Sequence, residues 1–480
     1  MKLNGSKVGL VLGPLIYVFI EYFLSINGLS EEGRAILAAT SWVAVWWVTE
    51  AIPIEVTSLL PLVLFPLSGG LELGITSQSY GHKFVFLFLG GFILAAAIEK
   101  CGLHRRLALN VIRIIGDNVA QIILGFMIST AFLSMWISNT ATTVLMLPIA
   151  LAVVGEVQAR DEDAVNRRGD IGKSLMFAIA YSASIGGMAT LIGTPPNLVL
   201  AGVIEQFYSK EIGFATWFTF GLPVSIILLS VAWVYLTRIA FPLERSKLPG
   251  GLAYIHEKHQ ELGKMSLEEK RVMAVFLITA VAWITRSFFL EKFIPGIDDT
   301  VIAIAAAIAL FILPGEKRGR LMDWEHALRI PWGILILFGG GMAIARGFQE
   351  TGLAEWIAGN LDFLVGISLF LVMFLLISSV NFLTEITSNM ATTATILPVL
   401  VPLAVAMDVH PYALLVPATL AASCAFMLPV ATPPNAIVFG SGYLKMSDMI
   451  RTGFRMNVIS IVILLLLIRF VLPIIWGISF

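Results

Sequence analysis

Residues 132–148 read F-L-S-M-W-I-S-N-T-A-T-T-V-L-M-L-P, an apolar stretch interrupted by Ser138, Asn139, Thr140, Thr142 and Thr143. In a bilayer such a polar centre is costly unless it binds something. The stretch returns 250 residues later as F-L-T-E-I-T-S-N-M-A-T-T-A-T-I-L-P over 382–398. Ser138 matches Ser388, Asn139 matches Asn389, Thr142 matches Thr392 and Pro148 matches Pro398. One polar cluster in an apolar helix is commonly interhelical glue. Two in register point to a pair of binding elements.

A bilayer is the right solvent to assume. The chain has 480 residues, 58% of them hydrophobic and 13% charged, against roughly a quarter charged in soluble domains. The net charge of −1 gives no basic field for nucleic acid. Cys101 and Cys424 can form neither a disulfide framework nor a CxxC pair. The apolar run that ends near Asn27 follows Lys2 and Lys7 and lacks a small-residue cleavage site, so it reads as a retained first helix.

Eleven spans are expected, at about 8–27, 34–50, 53–69, 84–100, 174–192, 214–240, 271–290, 299–314, 331–349, 413–430 and 455–476, from a requirement of ~20 apolar residues each. The two polar-centred stretches remain over. Their arms, from about 120 to 155 and from 364 to 406, read as re-entrant helical hairpins with Ser-Asn tips.

The repeat extends beyond the hairpins. Gly90-Gly91 matches Gly340-Gly341, and Gly102-Leu103 matches Gly352-Leu353. Gly193-Thr194-Pro195-Pro196-Asn197 matches Ala431-Thr432-Pro433-Pro434-Asn435 at offset 238. Tandem prolines are expected to stop the preceding helix, freeing the carbonyls of Gly193 and Ala431. The offset changes because the polar connection 156–173 shortens to 407–411 in the second half.

Charge sets the orientation. After Gly102 the chain reads L-H-R-R-L-A-L-N-V-I-R, and after Gly352 it reads L-A-E-W-I-A-G-N-L-D. The positive-inside rule puts the first in the cytoplasm and the second outside, so the repeats are inverted, as in secondary transporters. All but seven of the 31 Lys and Arg residues then fall on one side, with the N-terminus cytoplasmic and the C-terminus outside. Pro242–Lys270 becomes a cytoplasmic surface helix plus linker. The fold class is an all-α polytopic membrane protein, an inverted-repeat transporter of about 11 spans with two re-entrant hairpins and two broken helices.

Three acids lie in apolar surroundings. Glu50 and Glu55 flank Pro53 at a helix end and read as capping or interface groups. Glu385 lies three residues before Ser388. It can carry a proton or brace the hairpin by accepting hydrogen bonds, and bracing is the favoured role. No HExxH, GxSxG or P-loop pattern occurs, so no enzyme chemistry is expected.

With both Ser-Asn tips and both Thr-Pro-Pro-Asn breaks, the chain resembles the divalent anion:sodium symporter family of di- and tricarboxylate transporters, over essentially its whole length. The resemblance implies a homodimer with an elevator mechanism. By boundaries, 1–113 and 271–362 are scaffold, 114–241 and 363–480 are the transport parts, and 242–270 is the linker. It implies one sodium site at Ser134, Ser138, Asn139 and the Gly193 carbonyl. Its mirror is at Thr384, Ser388, Asn389 and the Ala431 carbonyl. It implies a carboxylate site from Ser138, Asn139, Thr140, Thr194, Pro195, Ser388, Asn389, Met390, Thr432 and Pro433. Met390 stands where the family usually has threonine. The expected function is Na⁺-coupled symport of C4-dicarboxylates such as succinate, malate or fumarate across the cytoplasmic membrane. Citrate or sulfate symport and sodium-independent dicarboxylate exchange are the alternatives. The residues agree: neither tip nor break holds Lys or Arg, so a dianion must be neutralised by bound cations and helix N-termini.

Overall fold

The structure is a computed structural model that describes residues 5–115, 118–160, 165–243, 251–316, 319–361 and 366–480. Among the described residues the secondary structure is helical, apart from isolated bridge positions such as the pair Pro314 and Arg320. Helices satisfy their backbone groups internally, which hydrocarbon requires.

The first half runs α1 (Gly5–Val18), α2 (Glu31–Thr49), α3 (Ile54–Thr57), α4 (Leu60–Leu67), α5 (Leu73–Gln78), α6 (Lys83–Lys100), α7 (Leu103–Ile115), α8 (Val119–Ser134), α9 (Asn139–Arg160), α10 (Val165–Gly187), α11 (Pro195–Tyr208) and α12 (Phe214–Val234). The second half runs α13 (Gly251–Glu261), α14 (Leu267–Thr285), α15 (Asp299–Ile312), α16 (Trp324–Ala327), α17 (Trp332–Glu350), α18 (Leu353–Gly359), α19 (Leu369–Leu383), α20 (Asn389–Ala406), α21 (Tyr412–Ala422), α22 (Pro433–Phe439), α23 (Met446–Leu466) and α24 (Leu472–Trp476). From α5 to α12 each element has its counterpart in α16 to α23. Among the described residues five helices have the length and hydropathy of a full span, and six further apolar helices are shorter.

The repeat is visible in packing as well as in order. A Cβ on Gly90 would meet the Ala303 carbonyl carbon at 2.6 Å, and one on Gly340 would meet the Ser58 carbonyl oxygen at 2.6 Å. Matched glycines thus let α6 and α17 approach a neighbouring backbone closely, as small residues do in membrane bundles. The two run in opposite directions. Lys83, at the start of α6, pairs with Glu205 at 2.8 Å. The adjacent Gln206 bonds to Gln349 at the end of α17. At the far end of α6, Lys100 pairs with Asp323 at 2.7 Å, on the approach to the start of α17. Equivalent helices that run antiparallel are what an inverted repeat requires.

Several expectations need correction. The 53–69 span is broken between α3 and α4, and the 413–430 span ends at Ala422. The tandem prolines do not stop the preceding helices. Helix α10 ends at Gly187 and α21 at Ala422, and Pro195 and Pro433 open the helices that follow. A first-turn residue has no intrahelical partner for its N–H, so proline suits that place. Between lie unwound segments, residues 188–194 and 423–432. Glu50 is exposed and Glu55 half-buried, leaving Glu385 as the buried acid of the three, at 1% exposure. Glu50 does cap α2, in the left-handed conformation with its N–H on the Trp46 carbonyl. The expected surface helix in 242–270 is α13. Within the 156–173 connection, 161–164 lies outside the described residues, as do 244–250 of the linker and the 362/363 boundary.

Candidate functional site

The tips form where α8 gives way to α9 and α19 to α20. Ser138 and Ser388 turn back on the new helices, accepting the N–H of Ala141 at 3.2 Å and of Ala391 at 3.5 Å. This is the N-cap role that serine fills well. Thr432 does the same for α22, accepting from Asn435 N–H at 3.3 Å. The unwound segments are held by the last residue of each Thr-Pro-Pro-Asn run. Asn197 Nδ2 donates to the carbonyl of Thr190 at 2.8 Å, and Asn435 Nδ2 donates to those of Ala425 and Leu428 at 3.1 and 3.0 Å.

Tips and breaks close around one cavity of about 590 Å³. Ser138, Asn139, Thr140, Gly193, Thr194 and Pro195 line it from the first half. Ser388, Asn389, Met390, Ala431, Thr432 and Pro433 line it from the second. Ser134 and Thr384, both fully buried, sit beneath the tips and do not reach the cavity. Among the described residues no Lys or Arg lines it; Glu50 and Glu55 lie on its wall. Helices α9, α11, α20 and α22 all begin at this cavity. A helix N-terminus favours a nearby anion, so the cavity suits negative charge.

Below each tip is a group of oxygens with too few protons. Ser134 Oγ lies 2.5 Å from Asn139 Oδ1 and 2.7 Å from the Ala183 carbonyl. Thr384 Oγ1 lies 2.7 Å from Asn389 Oδ1 and 2.9 Å from the Ala422 carbonyl. A hydroxyl has one proton to give, so one contact in each group is oxygen on oxygen. A Cβ on Gly187 would meet Asn139 Oδ1 at 2.7 Å and the Gly193 carbonyl at 3.0 Å. Glycine there keeps the Asn139 and Gly193 oxygens near each other. Hard oxygen donors around a shared space suit an alkali cation. Sequence reasoning missed Ala183, Ala422 and Gly187, whose contribution is backbone. Gly186-Gly187 before the first break is the signal the sequence holds for this, and the second half has Cys424-Ala425 in its place.

Residues 6–477 match the family described as the sodium:sulfate symporter transmembrane region. The chain belongs to that family. It is 47% identical over 482 aligned positions to the sodium-dependent dicarboxylate transporter SdcS of Staphylococcus aureus strains RF122 and NCTC 8325, covering 99% of this chain and 93% of the relative. Among solved structures this symporter-family chain is similar in fold to the Alcanivorax borkumensis YdaH transporter, with TM-score 0.58 and 12% identity over 92% of this chain and 99% of that one. It is similar also to Neisseria gonorrhoeae MtrF, with TM-score 0.58 and 15% identity over 98% and 95% of the two chains.

Within this symporter-family fold Glu385 has a definite place. Its carboxylate accepts the N–H groups of Phe426, Met427 and Leu428 at 2.8, 2.9 and 2.8 Å, and Asn457 Nδ2 at 2.7 Å. It ties the second tip to the unwound segment and to α23. In the first half Met135 holds the matching position. There the unwound segment turns on itself, with Met188 and Ala189 N–H donating to Ile185 and Gly186, and Thr190 Oγ1 donating to the Met135 carbonyl at 2.5 Å.

Proposed function

We propose that the protein is a Na⁺-coupled symporter of C4-dicarboxylates such as succinate, malate and fumarate. The observation that carries this reading is the mirrored pair of under-protonated oxygen groups beneath the tips, set behind a cavity free of Lys and Arg. Sodium is the coupling ion. One ion is held by Ser134, Ser138, Asn139 and the Gly193 carbonyl, joined by the Ala183 carbonyl. The other is held by Thr384, Ser388, Asn389 and the Ala431 carbonyl, joined by that of Ala422. The dianion lies between, against the asparagine amides, Thr140 and the four helix N-termini. Similarity to SdcS, named for sodium-dependent dicarboxylate transport, supports the substrate class.

Ser134 and Thr384 would each give a hydroxyl oxygen to the ion and turn the proton to an alanine carbonyl. Filling both sites orders the tip asparagines, leaving each Nδ2 to donate to a substrate carboxylate. The family resemblance supports a homodimer in the cytoplasmic membrane, with the hairpins and broken helices moving as an elevator against the scaffold.

Proteoliposome uptake tests the reading. An inward Na⁺ gradient should drive succinate accumulation, and replacing Na⁺ with K⁺ should abolish it. Uptake driven equally without Na⁺ would favour exchange. Faster uptake of sulfate or citrate than of succinate would reassign the substrate.

A further inference from the structure

A second pocket, of about 280 Å³, lies on the outer side of the first hairpin. Its walls include Glu99 at the end of α6, His104 at the start of α7, and Ile137, Thr142, Val144 and Leu145. Thr142 is 1% exposed, and its hydroxyl has no hydrogen-bond partner among the described residues. Glu99 is exposed and makes no ion pair or side-chain hydrogen bond among the described residues. His104 Nδ1 is 3.1 Å from the Ile98 carbonyl. A carbonyl only accepts, so Nδ1 carries the hydrogen and, in the neutral ring, Nε2 is left as an acceptor. The pocket therefore presents a carboxylate, a ring nitrogen and a hydroxyl on a hydrocarbon wall, with Val144 54% exposed. Of the three, the Thr142 hydroxyl is buried without a partner, which is rare enough to need a reason.

The second half builds the same place differently. Glu99 is replaced by Gln349, which is engaged by Gln206. His104 is replaced by Ala354. Ile137 is replaced by Thr387, whose hydroxyl lies 2.6 Å from that of Thr392, the counterpart of Thr142. There the threonine is satisfied internally and the charge is gone. A device needed by both halves of the transport cycle would recur, and this one does not.

Its surroundings point to the occupant. Helix α7 is amphipathic: Leu103, Leu109 and Ile112 are buried against the protein, Arg106 turns inward to Glu269 at 2.7 Å, and Arg105 and Ile114 are exposed. An amphipathic helix with an exposed cation and an exposed apolar side chain suits the plane of a membrane interface. Glu99 is then an unpaired acid next to the first turn of α7, which carries the exposed Arg105, and next to the apolar wall of Val144 and Leu145. We propose that this pocket binds a phosphoethanolamine lipid. The ammonium group donates to Glu99, His104 Nε2 and Thr142, the phosphate lies towards Arg105, and an acyl chain runs along Val144.

Native mass spectrometry of the full-length protein, titrated with dioleoyl phosphatidylethanolamine or with its choline analogue, tests this. The choline headgroup keeps the charge and loses every N–H donor. The wild type should retain the ethanolamine lipid about tenfold better, as expected for one or two charge-assisted hydrogen bonds. Glu99→Gln and Thr142→Val should each narrow that ratio severalfold. Ile137→Thr should do the same by giving Thr142 the partner found in the second half, which covers the case in which Glu99→Gln fails to fold. Equal retention of the two lipids by the wild type, or an unchanged ratio in the folded variants, overturns the proposal. So does displacement of the lipid by free phosphoethanolamine, which would assign the pocket to a soluble amine.

Discussion

Glu385 and Asn457, 72 residues apart, meet at 2.7 Å in the membrane interior, where the Asn457 amide donates to a carboxylate already holding three backbone N–H groups. All four partners are donors, so the carboxylate is matched as an acceptor. Replacing it by glutamine puts an NH₂ against at least one N–H. Loss of a charge-assisted bond at a buried site costs on the order of 1–3 kcal/mol. Glu385→Gln should lower thermal stability and maximal uptake while the pH profile of uptake keeps its shape. If the group carries a proton instead, the variant loses the pH-dependent part of uptake and keeps its stability.

Ser134→Ala and Thr384→Ala should each raise the Na⁺ concentration for half-maximal uptake. Each removes the oxygen that lies between an asparagine Oδ1 and an alanine carbonyl. The neighbours remain but lose one ligand, so an increase of about ten-fold is expected for an interaction of roughly 1.4 kcal/mol. Na⁺ titration of succinate uptake in proteoliposomes reads it directly. An unchanged Na⁺ requirement in both variants removes these hydroxyls from the cation sites.

Much of this was legible before any coordinates. The Ser-Asn tips stood out because lipid tolerates such residues only where they are used, and the tandem prolines marked the starts of α11 and α22, not, as expected, the ends of the helices before them. What stayed hidden has a physical pattern. Carbonyl ligands such as those of Ala183 and Ala422 leave no mark on side-chain chemistry. Hydropathy cannot tell an apolar helix from an apolar unwound segment, which is why the 413–430 span overshot Ala422. The unwound chain is tolerable because Glu385 supplies acceptors for its N–H groups, a pairing across 41 residues that no local pattern announces.

Sidedness can be read by labelling. Helix α13 and helix α18 belong to opposite ends under the charge assignment, and Trp356 of α18 donates to the Asn27 carbonyl, at the end of the first apolar run. In right-side-out vesicles, Gly359→Cys should react with an impermeant maleimide, and His256→Cys should react only after the membrane is opened. Both positions are exposed in the fold. Labelling of both from the same side would end the inverted-topology reading.

The third tip positions break the symmetry. Thr140 is exposed to the cavity, whereas Met390 lines it but is 4% exposed. Thr140→Ala deletes a donor that can reach a carboxylate, so it should weaken apparent succinate affinity by severalfold to about ten-fold, the range of one hydrogen bond. Met390→Ala should cost less in affinity and more in stability, because it empties packed volume. Met390→Thr separates the two roles. If a hydroxyl there reaches the substrate, the ratios of succinate, citrate and sulfate uptake change, since a new donor favours the anion that places an oxygen beside it. If Met390 only supports the tip, total activity and thermal stability fall and the ratios hold. One competition series across the three anions, run with the wild type and both Met390 variants, distinguishes these outcomes.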